Sequence, residues 1–176
     1  MCSNKLLDKK IVTGPAVEPV SLADAKLYMN VDYTEKDSLI TSLITAARQL
    51  LEDKYDIGIV EKDLVVVVDN SCGGIDLPGA PIGAITGVDT EGVTVTLTTI
   101  GESDKYVESP CSCYLKLSYK SGYPLANIPE VYKTAIKEQV LWMFENLGDV
   151  ETIDKICPMS AACLKPYRRN GYGVFI

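Results

Sequence analysis

The sequence predicts an α+β fold: a helical core with an antiparallel β insert at about residues 60–120. Three observations carry that prediction. Apolar residues recur at helical spacing before residue 56 and again after residue 129. Between these stretches the pattern changes to short, β-branched runs broken by Gly, Pro and Asn. The breaks are too short to hold crossover helices, so neighbouring strands must pair antiparallel.

Residues 1–17 are polar, lack a sustained period and are punctuated by Gly14-Pro15, and so read as an N-terminal arm. Ser21 followed by Asp24 has capping-box spacing, with Asp in place of the preferred Glu or Gln. It starts a short helix that ends near Asn30. Thr34 opens a second start, with Glu35 and Asp37 in a first turn where the helix dipole favours acids. Leu39, Ile40, Leu43, Ile44, Ala46, Ala47, Leu50, Leu51 and Tyr55 then form one apolar stripe. Thr41, Ser42, Thr45, Arg48, Gln49 and Glu52 make the opposite face. Gly58 marks the expected end, giving about 20 residues and roughly 30 Å.

Strand candidates follow at 64–69, 75–77, 85–89, 93–98, 105–107 and 114–119. Glu91-Gly92 between two β-branched runs is a hairpin signal. Ile128-Pro129-Glu130 opens a long C-terminal helix, because Pro in a first turn lacks only an N–H that has no helical partner there. Its broad apolar face includes Tyr132, Ala135, Ile136, Val140 and Phe144, and Gly148 is the expected C-cap. A short last helix is expected at 159–164. Pro166, Gly171 and Gly173 leave the end irregular. The expected organisation is an arm at 1–17, one main domain at 18–164 and a tail at 165–176.

Composition narrows the function classes. A chain of 176 residues buries roughly 70% of its unfolded surface and can build its own core. The longest aliphatic stretch is Leu64-Val65-Val66-Val67-Val68, which suits a strand and is too short for a membrane-spanning helix. The first ten residues, MCSNKLLDKK, have no apolar centre, so no secretory signal is expected. Net charge is −7 and the pI about 4.6, against a free-standing nucleic-acid binder with its basic footprint. There is no His, which removes His-based triads and the commonest zinc nitrogen ligand.

Cys2, Cys72, Cys111, Cys113, Cys157 and Cys163 are scattered and include no CxxC pair. They read as reduced thiols, with neither metal nor cofactor. Cys72 could act as a nucleophile only if a Lys or helix N-terminus activated it; an inert turn thiol is the plainer reading. Asp63, Asp69, Asp76 and Asp89 sit at strand edges and turns, where solvated acids are expected. Acid–base catalysis would need two of them to converge in a cleft. Gly73, Gly74, Gly79, Gly83 and Gly87, interleaved with Pro78 and Pro81, read as turns rather than a phosphate cradle. No catalytic residue is assigned.

Ten tyrosines against two phenylalanines and one tryptophan fit either half-buried strands or a contact surface. The end of the chain points more directly to a partner. Lys165, Pro166, Tyr167, Arg168, Arg169, Tyr172, Phe175 and Ile176 combine a helix stop, aromatics, paired guanidiniums and an apolar terminus. This composition suits docking into another chain, with Arg forks on carboxylates. A tail folded onto its own domain is the alternative.

The order of segments resembles the head–tail connector (adaptor) proteins of long-tailed bacteriophages. The resemblance rests on EPVSLADAKLYMNVD, DSLITSLITAARQLLEDKYD, LPGAPIGAITGVDT with Tyr106-Val107, LKLSYKSGY, IPEVYKTAIKEQVLWMFEN and ACLKPYRR. Glu145-Asn146-Leu147 departs from the family's Glu-Asn-Arg, and Cys163-Leu164 from its paired leucines. The resemblance implies a virion structural protein, not an enzyme. It implies neighbouring copies in a ring of about a dozen, seated on the portal protein and receiving the tail or a stopper protein. Genomic DNA would pass through without specific binding, and no membrane is involved. The site would be the neck of the virion, assembled in the bacterial host cytoplasm. A different neck or tail-completion adaptor is the nearest alternative. A small enzyme using carboxylates or Cys72 is further away.

Overall fold

The computed structural model describes residues 5–69, 74–102, 106–109, 114–149 and 155–168. Among them the chain divides into two units, 5–15 with 60–123 and 16–59 with 124–168.

The second unit is helical. Helix α1 (Leu22–Met29) begins at Ser21, whose Oγ accepts from the Asp24 amide at 3.1 Å and donates to the Asp24 carboxylate at 2.7 Å. Helix α2 (Asp37–Tyr55) starts three residues after Thr34 and has no side-chain cap. It ends at Asp56 in the left-handed conformation (φ 51°), ahead of Gly58. Helix α3 (Glu130–Glu145) follows Pro129, and α4 is Pro158–Leu164. Ile40, Ala47, Leu51, Ala135, Ile136, Val140 and Leu164 are fully buried within this unit's helices. No helix among the described residues is long and apolar enough to cross a membrane.

The first unit is a β structure with two sheets. Strands β1 (Lys5–Thr13), β2 (Lys62–Asp69), β8 (Tyr114–Ser121), β4 (Ile82–Val88) and β5 (Thr94–Val95) form a five-stranded sheet in that order. Strands β3 (Gly74–Asp76), β7 (Tyr106–Glu108) and β6 (Thr98–Ile100) form a three-stranded sheet. All the strand pairs are antiparallel. The β4–β5 turn is held by Asp89, whose carboxylate accepts the Glu91 and Val93 amides at 2.9 Å, and by Gly92 at φ 83°.

A helical core carrying a β insert is therefore overturned: the fold is α+β, with four α-helices and two antiparallel sheets among the described residues. The β residues bury an apolar cluster of their own, including Leu64, Val66, Leu77, Val107, Leu115 and Leu117. The sheet also recruits a strand from outside 60–120. Strand β1 pairs with β2 from Lys5↔Asp69 to Thr13↔Asp63. All nine of its residues are exposed, so it has no period-two burial pattern to betray it. The run expected at 93–98 splits into β5 and β6, which belong to different sheets.

Candidate docking site and the framework that carries it

Several motif residues prove to be fasteners. Glu18 accepts from Arg48 at 2.7 and 3.1 Å and from Thr45 at 3.1 Å. Arg48 also donates to Glu52 at 2.7 Å, and Glu52 accepts the Ile59 amide at 2.8 Å. Arg48 and Glu52, on the face of α2 opposite its apolar stripe, are nonetheless each only 3% exposed. Burial alone would lower the Arg48 pKa. The hydrogen bond to Glu18 and the charges of Glu52 and Glu18 outweigh it, so the guanidinium stays above its ordinary value.

In the β unit the LPGAP loop is tied to the end of β8. Tyr119 Oη donates to the Pro78 carbonyl at 2.9 Å, Ser121 Oγ to the Gly79 carbonyl, and the Gly122 amide to the Pro81 carbonyl at 2.9 Å. Gly122 is at φ 102°, and a Cβ there would collide with the Val60 backbone.

The C-terminal segment is held by α3. The Gln139 side chain, fully buried, donates from Nε2 to the Lys155 carbonyl at 3.0 Å and accepts the Cys157 amide at 2.8 Å. Ser160 Oγ donates to the Ala135 carbonyl at 2.8 Å. Beyond α4, Lys165–Tyr167 form a 3-10 turn in which Lys165, Pro166 and Tyr167, together with the following Arg168, are exposed. The Tyr167 ring meets Tyr132 edge-on, centroids 5.2 Å apart. Arg168 lies close enough to Tyr55 to offset part of the upward pKa shift that burial imposes on that phenol.

Of the predicted docking residues, the structure thus brings Lys165, Pro166, Tyr167 and Arg168 together at the root of the tail. Arg169, Tyr172, Phe175 and Ile176 lie outside the described residues, as does Cys72. Of the carboxylates, Asp89 is engaged in its turn, and no group of three or more His, Cys, Asp or Glu that could hold a metal occurs among the described residues. Sequence reasoning missed Gln139: an amide on a broad apolar face was the available signal.

The two units define the class: an α+β protein with a pinned helical framework and an exposed basic turn after α4. Residues 19–86 match the family model described as phage gp6-like head-tail connector protein. The fold is also that of a chain in the neck of an empty gene transfer agent (GTA) particle computed with C6 symmetry. There the TM-score is 0.73 at 13% identity, covering 96% of this chain and 98% of that one. A chain in the virion of the native particle gives the same values. One in the native neck computed with C12 symmetry gives 0.71 at 14% identity, with the same coverage. No curated protein matches. The family match bears out the connector resemblance over residues 19–86, and the chains of the GTA necks share the fold.

Proposed function

We propose that this chain is a subunit of a head–tail connector ring in the virion neck, seated on the portal and receiving the tail or a stopper protein. The family match over residues 19–86 carries the reading. The C6 and C12 symmetry of the similar necks supports a ring of copies, with twelve the copy number we favour. The role is structural rather than enzymatic, and DNA crosses the ring without specific binding, in keeping with a chain of net charge −7. Assembly takes place in the host cytoplasm. The tail from Lys165 to Ile176 is the segment we assign to portal docking.

The test is to delete the gene from the producing phage and image the particles by electron microscopy, then restore the gene with an epitope tag. Filled or leaking heads without tails, and label at the neck after restoration, are expected. Complete tailed particles without the chain would refute the role. Label at the tail side of an otherwise intact neck would move the chain to the tail-completion adaptors.

A further inference from the structure

The β unit carries two unlike exposed edges. At one end of the five-stranded sheet lies β1, bonded on one side to β2 and, among the described residues, to nothing on the other. Leu6, Leu7, Ile11 and Val12 are 38–59% exposed along it. At the opposite end lies β5, which leads through Thr96-Leu97 into β6, the edge of the three-stranded sheet. Val93 and Ile100 flank this second edge at 58% and 54% exposure. Open edges with apolar side chains are templates for pairing.

Charge says which edges can meet. Strand β1 carries Lys5, Lys9 and Lys10 against Asp8, a net of +2. The β5–β6 edge is flanked by Glu91 and Glu102, and Glu108 on β7 stands opposite Thr98 of β6. Two β1 strands would set lysines against lysines, which lysine-bearing edges disfavour. The terminal segment, with Arg168 and Arg169, would repel β1 in the same way. An acidic edge would attract it. Strands β1 and β5 lie at opposite ends of the five-stranded sheet, so their union is head-to-tail, a geometry that continues past the dimer and makes a ring where the rotation closes.

We propose that β1 of one copy pairs along the β5–β6 edge of the next copy, joining the β units into a continuous belt around the ring. This rests on the connector reading and names the contact between its subunits. In tailed particles assembled with benzoylphenylalanine at Ile11, ultraviolet light should attach it to a peptide spanning 91–102 of a second copy. The products should form a ladder beyond the dimer. Lys9→Glu with Lys10→Glu should lower the yield of tailed particles about tenfold or more, since like charges then meet at the contact. Adding Glu91→Lys and Glu102→Lys should restore most of the yield. Melting temperatures of all the purified variants should match the parent, since these side chains are exposed.

Adducts confined to β1 of a second copy, to residues 170–176 or to another protein would overturn the inference and leave the connector reading standing. So would no adduct at all in particles that contain the chain, or a charge reversal that costs nothing or is not rescued. Particles that lack the chain altogether would overturn the connector reading and this contact with it.

Discussion

Arg48 sits on the polar stripe of α2 yet is buried, because Glu18 arrives from outside the helix to pair with it. A buried pair adds little net stability when intact, but losing one partner is costly. Arg48→Ala removes the cation from beside the buried Glu52 and should cost about 3–5 kcal/mol, read from the urea midpoint at constant slope. Tyr28 makes a different test. Its hydroxyl donates to Glu138 at 2.5 Å, and this hydrogen bond, with burial and the Glu138 charge, pushes the phenol up to about 12. The folded value exceeds the unfolded one of 10, so the stabilisation is fully present below pH 10 and is lost as pH rises through 12. Ultraviolet titration should show a late-ionising tyrosine that disappears in Tyr28→Phe.

Among the elements, α3 is both core helix and clamp. Gln139→Ala would leave the Lys155 carbonyl and the buried Cys157 amide without this amide partner. We expect a loss of about 2 kcal/mol or more, with faster proteolysis in the segment leading into α4. By our reading, the turn after α4 separates folding from docking. Truncation after Leu164 deletes the edge contact of Tyr167 with Tyr132 and should cost only about 1 kcal/mol. By our reading the same truncation abolishes attachment to portal-bearing heads. A truncated chain that melts far below the parent would assign the tail to its own unit; normal attachment would place docking elsewhere.

For the whole molecule, the absence of His and the scatter of cysteines argue for a fold that needs neither metal nor disulfide. Cys157, buried, and Cys163, half-buried, are the cysteines among the described residues. Thermal denaturation should give the same melting temperature, within about a degree, with and without a chelator, and with and without a reductant. A drop of several degrees under either treatment would reveal a metal site or a disulfide. In the proposed ring, contacts between copies that pair Lys with Glu should be strengthened by low salt, because screening of the ion pairs falls.

Period and punctuation alone determined the helices: the stripe from Leu39 to Tyr55, the Ser21–Asp24 cap and the entry at Pro129 are local features that the local backbone obeys. The β-branched runs were legible for the same reason, as was the end of the last helix, marked by Pro166 after Leu164. Only tertiary structure decided the rest. Strand β1 exists because β2 offers an edge, and an exposed strand leaves no burial pattern in its own sequence. The run at 93–98 divides between sheets because its two halves find different partners, β4 and β7. Arg48, Glu52 and Gln139 look like surface residues by composition. They lie inside because charges and backbone groups distant in sequence meet them there, and partners brought together by folding cannot be read from spacing.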